Sequence, residues 1–203
     1  MIFSSKLIED AVNAFAQLPG IGKKTALRMV LHLLKEDELV TRAFSEAIAK
    51  MRKEVRFCPK CNNISDLDLC SICQDSSRDK QTICVVENIR DVIAIESTRQ
   101  YNGLYQVIGG LLSPLDGIGP DQLKVSNLAE RIQTDEVKEL IMALSPTIEG
   151  DTTVYYINKL IQELPVTITG IARGISFGTE LEYTDELTLA RSIVKRLPIN
   201  QAN

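Results

Sequence analysis

Hydrophobic positions recur at helical spacing along the first part of the chain. They predict a helix over residues 4–17, a second that begins near Lys23, and a third over residues 38–54. The first two helices carry apolar residues three or four positions apart, so one face of each should pack against the other. Those apolar positions are Leu7, Ile8, Val12, Phe15, Ala16, Ala26, Leu27, Val30, Leu31 and Leu34.

From residue 82 onward, short β-rich runs alternate with helical runs. Strands are predicted over residues 82–86, 104–108, 140–144 and 166–171, and helices over 88–97, 127–132, 151–164 and 185–196. The run at 140–144 fits a strand or a helix by pattern, and its place in the alternation favours a strand. Such alternation is typical of an α/β fold with a mostly parallel sheet, whose functional groups lie at the carboxyl ends of its strands.

Composition is that of an ordinary folded protein, with 203 residues, 44% hydrophobic and 25% charged. No apolar run reaches the length of a membrane span, and Glu9 and Asp10 interrupt any signal-peptide pattern, so a cytoplasmic location is expected. The net charge of −4 is unevenly distributed. Residues 1–60 carry 11 Lys and Arg against 7 Asp and Glu, and the rest carry 12 against 20. Any contact with nucleic acid is therefore expected in the N-terminal part.

Four cysteines stand in two Cys-x-x-Cys pairs, Cys58 with Cys61 and Cys70 with Cys73. Two such pairs this close together predict one structural Zn²⁺ held by four thiolates, with no open position for a catalytic water. Disulfides are the alternative, but they are rare in the cytosol, where thiols stay reduced. The fifth cysteine, Cys84, lies in an apolar run and is expected to be a buried small hydrophobe.

The first two helices are joined by Leu18-Pro19-Gly20-Ile21-Gly22, which resembles the turn of a helix-hairpin-helix motif. Glycines let the backbone approach a phosphate, and the next helix offers free N–H groups and its positive dipole end. Lys24 and Arg28 lie one helical turn apart, so both can face the same nucleic-acid strand. An ordinary helical hairpin with a solvated basic face accounts for the turn equally well.

Glu87 directly follows the first predicted strand, where a sheet of this kind places functional groups. The corresponding segment after the third strand is Ser145-Pro146-Thr147-Ile148-Glu149-Gly150-Asp151. The single histidine, His32, lies among leucines and is expected to be packed in its helix, so a Ser-His-Asp triad is not supported.

Taken together, these segments resemble the RecR family of bacterial recombination mediators over nearly the whole chain. The resemblance rests on the hairpin turn, the two cysteine pairs, Glu87 and three further motifs, namely Gly109–Pro120, Pro146–Asp151 and Leu181–Glu186. It implies four domains: a helix-hairpin-helix domain at 1–54, a four-cysteine zinc finger at 55–76, a Toprim domain at 77–172 and a C-terminal oligomerisation segment at 173–203.

The resemblance also implies a function. RecR proteins form rings, usually tetramers built from dimers, which encircle DNA and work with RecO, and in some pathways RecF, to load RecA onto single-stranded DNA. The family's DNA-contacting residues fall on Lys24 and Arg28, with Lys23 adding charge where proline is common. Gln106 stands where the family often has histidine, so no role of that histidine carries over.

A Toprim-type nucleic-acid enzyme is the alternative function. Catalytic Toprim sites hold Mg²⁺ with a glutamate after the first strand and an Asp-x-Asp pair after the third. Glu87 matches the glutamate, but Ser145 and Thr147 occupy the paired positions. The sequence therefore favours a non-catalytic protein, in which Glu87, Glu149 and Asp151 form an acidic patch for a protein partner or a weakly held metal. A zinc-stabilised adaptor that binds only proteins is a third reading.

Overall fold

Three helices form the N-terminal part of the structure, a computed structural model that describes residues 3–196 and residue 198. They are α1 (Lys6–Phe15), α2 (Lys23–Leu33) and α3 (Glu38–Glu54), as the apolar spacing predicts. Ser5 caps α1 by accepting a hydrogen bond from the Ile8 N–H, and Asp37 caps α3 by accepting one from the Leu39 N–H. The chain divides into two compact units, Met1–Val55 and Arg56–Asn203.

The core of the first unit lies between α1 and α2. Val12, Ala26 and Val30 are buried there, and the rings of Phe15 and Phe44 stack with their centroids 6.3 Å apart, which adds α3 to the packing. The prediction that His32 is packed is wrong. Its side chain is 71% exposed, because it lies on the face of α2 turned away from this core.

The second unit begins with the cysteine-rich segment, called the knuckle here and comprising residues 56–75. In it β1 (Arg56–Phe57) and β2 (Ile64–Ser65) pair antiparallel, and a single helical turn, α4 (Ser71–Gln74), follows. Cys70 precedes α4 and caps it, since its sulfur accepts a hydrogen bond from the Cys73 N–H.

A parallel sheet forms the rest of the unit. Its strands are β3 (Asp79–Val86), β4 (Gly103–Val107), β5 (Glu139–Ala143) and β6 (Thr167–Gly170), in the order β4-β3-β5-β6. All the strand pairs in this sheet are parallel, as the alternation predicts, and the ambiguous run near residue 140 is a strand. In the register, Cys84 lies opposite Tyr105 on one side and Ile141 on the other.

Helices cover both faces of this sheet: α5 (Ile89–Thr98), α6 (Leu128–Thr134) and α7 (Ile148–Ile161), with α8 (Glu186–Val194) near the C-terminus. Side chains of β3 alternate between two apolar cores, since Ile83 and Val85 join one cluster and Cys84 and Val86 join the other. Cys84 is buried as expected, and burial raises the pKa of its thiol to about 12. None of the described helices combines the length and apolar character that crossing a membrane requires.

Helix α7 begins earlier than the sequence pattern predicts, at Ile148 rather than residue 151. Thr147 caps it by accepting a hydrogen bond from the Gly150 N–H at 3.1 Å. This start places Glu149 and Asp151 in the first helical turn, where carboxylates are stabilised by the helix dipole. Part of the acidity at this edge of the sheet is therefore explained by the helix start.

Candidate metal centre and nucleic-acid interface

The four cysteines of the two predicted pairs meet at one point in the knuckle. The sulfurs of Cys58, Cys61, Cys70 and Cys73 all lie within 4.8 Å of one another, and the Cys61 and Cys70 sulfurs are 3.5 Å apart. Four thiolates around Zn²⁺, each about 2.3 Å from the metal, stand about 3.8 Å apart, so this arrangement fits the ion. A disulfide needs an S–S distance of about 2.0 Å, and all the cysteines are free.

The backbone of the knuckle shapes the first cysteine pair into a tight turn. The Cys58 N–H donates to the Asn63 carbonyl at 2.7 Å, and the Asn62 N–H donates to the Cys58 carbonyl at 2.8 Å. Asn62 adopts a left-handed conformation, with φ of 61°, which an asparagine tolerates better than most residues. The turn therefore has its own hydrogen bonds before any ligand is considered.

Hydrogen bonding among the sulfurs separates their pKa values. The bond to Cys70 is the main reason that the pKa of Cys61 is raised, and the same bond is the main reason that the pKa of Cys70 is lowered to about 2. Four thiolates packed this closely repel one another, and a divalent cation at their centre offsets that repulsion. In the described part of the chain, no other group of three or more His, Cys, Asp and Glu side chains converges in this way.

The hairpin turn between α1 and α2 has the open backbone that a phosphate contact requires. Gly20 has φ of +79°, and a Cβ placed on Gly20 or Gly22 would meet nothing within 4 Å. Gly22 precedes α2 without a side-chain cap, so the first N–H groups of α2, at Lys23, Lys24 and Thr25, have no acceptor among the described residues.

Three cations follow this turn. Lys23, Lys24 and Arg28 are exposed, and none of them has an ion-pair partner in the described residues. Some other cations of the same unit are neutralised locally: Lys6 lies 3.1 Å from Asp10, and Arg42 lies 2.8 Å from Glu38. Positive charge at the start of α2 is therefore available to a ligand. A helix starts at Lys23 despite the lack of proline there.

The carboxylates at the carboxyl edge of the sheet do not converge. Glu87 accepts a hydrogen bond from the Ser145 hydroxyl at 3.1 Å, and Asp151 pairs with Arg173 at 2.8 Å. Glu149 is half-buried in the first turn of α7. The three carboxylates do not form a ligand group within metal-binding reach of one another.

Comparison with known proteins agrees with this arrangement. Along the chain, residues 8–52 match the family described as "RecR, helix-hairpin-helix", and residues 55–75 match the four-cysteine zinc finger domain of RecR. Residues 81–172 match "Toprim domain", and residues 174–196 match "RecR, C-terminal". Recombination protein RecR of Amoebophilus asiaticus is 56% identical over 197 residues, which cover 97% of this chain and 98% of that protein. The chain belongs to the RecR family.

Other RecR proteins show similar agreement. That of Flavobacterium johnsoniae is 57% identical over 201 residues, covering 99% of this chain and 98% of the relative, and that of Porphyromonas gingivalis is 50% identical over 194 residues, covering 96% and 94%. The predicted resemblance and order of folds are thus confirmed: a helix-hairpin-helix, a four-cysteine zinc finger and a Toprim domain with a parallel sheet. The knuckle holds one structural zinc.

Sequence reasoning missed a polar cluster that joins the knuckle to the RecR Toprim sheet. Gln106 is buried in β4, where it donates to the Lys124 carbonyl at 2.8 Å and accepts from Arg131 at 3.0 Å. Arg131 is 4% exposed, on the face of α6 that also carries Leu128 and Ile132. A cation among inward-facing apolar positions was the available signal, because buried arginines are usually paired.

Proposed function

We propose that this RecR-family protein is a non-catalytic, DNA-binding recombination mediator in DNA repair. In this proposal residues 1–54 bind DNA independently of its sequence, whether single- or double-stranded. Residues 55–76 hold the zinc, 77–172 form the partner-binding Toprim domain, and 173–203 support oligomerisation. In this proposal the protein acts in the cytoplasm, at the nucleoid during repair, with RecO and in some pathways RecF, to load RecA onto single-stranded or gapped DNA.

One observation carries the DNA-binding part of the proposal. In the part of the chain that the structure describes, the N–H groups at the start of α2 have no acceptor and the side chains of Lys23 and Lys24 in the same turn have no ion-pair partner. Arg28 follows one helical turn later. Backbone donors, a helix dipole and cations together suit a phosphate, and none of them reads a base. This arrangement supports binding without sequence preference.

Chemistry at the sheet edge supports a non-catalytic role. A Mg²⁺-dependent phosphodiester reaction needs several carboxylate oxygens around the metal. Glu87 has a serine hydroxyl as its neighbour, Thr147 caps a helix, and Asp151 is paired with an arginine. We therefore propose that Glu87, Glu149 and Asp151 contact a protein partner or a weakly held metal. A Toprim-type enzyme is the competing function.

Exposed apolar side chains support the oligomer. Helix α8 buries none of its residues, and the segment around it exposes large hydrophobic side chains: Phe177, Leu181, Tyr183, Leu187, Ile193 and Val194. An amphipathic helix with an uncovered apolar face is typical of a contact surface. In the proposed ring, a second copy of the chain packs against this apolar face of α8.

DNA binding tests the proposal directly. In Lys24→Ala combined with Arg28→Ala, affinity for DNA of any sequence should fall by at least tenfold, and the dependence of affinity on salt should become less steep by about two ions. The charge-matched control is Lys80→Ala with Lys159→Ala, since both lysines are exposed on the Toprim domain. Equal binding by parent and hairpin variant at several salt concentrations would remove the hairpin assignment.

Mass in solution tests the oligomer separately. Light scattering should give a protein mass that is a multiple of the 22.6 kDa chain mass, with a tetramer expected, after the mass of any bound DNA is subtracted. Leu187→Glu together with Ile193→Glu should lower that mass while leaving zinc content unchanged. A parent protein that stays monomeric with DNA present would contradict the ring.

A further inference from the structure

The Cys58–Cys61 half of the zinc site is fastened to the Toprim sheet by hydrogen bonds along its whole turn. The Val107 N–H of β4 donates to the Cys61 carbonyl at 2.8 Å, and the Asn62 side chain donates to the Val107 carbonyl at 3.0 Å. The side-chain amide of Asn127 reaches the carbonyls of Pro59 and Lys60 at 3.4 and 3.3 Å. The carbonyls of Pro59, Lys60 and Cys61 therefore accept hydrogen bonds from the Toprim domain.

Arg131 lies at the centre of that attachment. Its Nη1 donates to the Tyr105 carbonyl and to Gln106 Oε1, at 2.6 and 3.0 Å, and lies 3.5 Å from the Lys60 carbonyl. Its Nε lies 3.4 Å from Asp135, which also pairs with the Lys60 ammonium at 2.9 Å. One buried guanidinium thus touches the strand, the helix and the cysteine turn.

Charge also favours the attachment. Lys60 and Arg131 share the single carboxylate of Asp135, which leaves net positive charge beside the knuckle. A zinc ion with four thiolates carries a net charge of about −2, so the two clusters attract each other. Arg131 retains this position although its Nη2 is buried without a hydrogen-bond partner in the described residues.

The Cys70–Cys73 half lacks a comparable attachment. Apart from the contact between the Cys61 and Cys70 sulfurs, its hydrogen bonds in the described residues are local, such as Cys73 N–H to the Cys70 sulfur at 3.4 Å and Gln74 N–H to the Cys70 carbonyl at 3.0 Å. Ile72 packs against the sheet's apolar cores, and this contact is not directional. The two halves of the site are therefore held by different means.

We propose that Arg131 is a positioning residue of the zinc site. With Gln106 and Asn127, it keeps the Cys58–Cys61 turn formed on the sheet whether or not the metal is bound. The Cys70–Cys73 half closes over the metal and opens when it leaves. Zinc exchange then proceeds through the second half, and its rate depends on a side chain that is not a ligand.

Hydrogen exchange on the full chain, with zinc and after chelation, tests the order of events. Without zinc, the amides of Asn62 and Val107 should stay protected, whereas those of Cys73, Gln74 and Asp75 should exchange at least a hundredfold faster than in the zinc-bound protein. Protection lost equally in both halves, or lost first at Asn62 and Val107, would overturn the proposal.

The rate of zinc transfer to a chelator tests the role of Arg131. Arg131→Met should release zinc about tenfold faster, in the range typical for residues that support metal ligands, and Asn127→Ala should act in the same direction to a smaller extent. The control is Ile157→Ala, which opens a cavity in the apolar core that α7 shares with α6. It should release zinc within twofold of the parent rate.

Stability measurements distinguish a positioning role of Arg131 from a general destabilisation of the fold. Each variant is unfolded in denaturant, and release is compared at a temperature where all are folded. If release rates of Arg131→Met, Asn127→Ala and Ile157→Ala follow their unfolding midpoints alone, Arg131 has no positioning role. Asn127→Ala keeps the test decisive if Arg131→Met does not fold, because Asn127 is only half-buried.

Discussion

Ser145 donates a hydrogen bond from its hydroxyl to Glu87 Oε2 at 3.1 Å, joining the carboxyl ends of β5 and β3. These two strands are neighbours in the sheet, and one of the two groups that meet beyond their ends is a hydroxyl. The contact leaves Glu87 with a neutral neighbour instead of a second carboxylate.

Replacing the Ser145 hydroxyl with a carboxylate should create a site that binds a cation. In Ser145→Asp, two like charges meet at hydrogen-bond distance, so the variant should lose about 2 kcal/mol of unfolding free energy. Millimolar Mg²⁺ should restore part of it, because a ligand that binds the folded state stabilises that state. Thermal unfolding with and without Mg²⁺ measures both effects. Ser126→Asp, which adds the same charge at an exposed position, should show neither, and a Mg²⁺-insensitive Ser145→Asp would contradict the expectation.

Loss of one zinc ligand should weaken the whole second unit. Cys70→Ser removes a thiolate and the cap of α4, so the purified protein should contain little zinc and unfold several kcal/mol more easily. Metal analysis and denaturant unfolding provide the two readouts. Cys84→Ala is the matched control, since that cysteine lies in β3 outside the knuckle and its loss should leave the zinc content at one per chain. Full zinc in Cys70→Ser would count against the four-sulfur site.

The ion pair between Arg78 and Glu96 should make stability depend on pH. A hydrogen bond from Arg78 is the main cause that lowers the pKa of Glu96 below its ordinary value of 4.5, and Tyr105 donates a further bond to the same carboxylate at 2.7 Å. A carboxyl whose pKa is lowered by folding stabilises the protein above its unfolded pKa. That stabilisation is lost as the pH falls from the unfolded pKa of Glu96 through its lower folded value.

Glu96→Gln isolates this effect. Urea unfolding at pH 7 and at steps below pH 4.5 should show the parent losing its advantage over the variant as Glu96 becomes protonated. Glu130→Gln, at an exposed helix position, should track the parent throughout. A constant difference between parent and Glu96→Gln at every pH would mean that the charge of Glu96 has no role.

Gly150 permits the close approach between α7 and the end of β5. A Cβ at this position would lie 1.9 Å from the Ser145 carbonyl oxygen, which is backbone and cannot turn aside. Gly150→Ala should therefore cost about 3 kcal/mol, although alanine favours a helix by about 1 kcal/mol. Unfolding in denaturant measures the change. Gly119→Ala, where a Cβ meets nothing within 4 Å, should be nearly neutral, and equal stability of both variants would refute the steric argument.

The sequence predicts most of the elements because their signals are local. Helix α3 spans the predicted residues, and β3 and β5 lie where apolar runs predict strands. The early start of α7 escaped prediction, since Pro146 and Gly150 suggest a loop until the Thr147 cap is seen. His32 was misplaced for a related reason. Leucine neighbours suggest burial, but only packing shows which side of a helix is covered.

The zinc site and the basic hairpin follow from the sequence alone, because cysteine spacing and a Gly-Ile-Gly turn constrain the backbone within a few residues. The strand order β4-β3-β5-β6 and the contacts that depend on it do not. Glu87 meets Ser145 across 58 positions and Arg131 meets Lys60 across 71, so these contacts exist only once the sheet has brought distant segments together. Residue spacing in the sequence determines sites whose members lie a few positions apart, whereas tertiary packing determines which distant residues become the partners of a charged side chain.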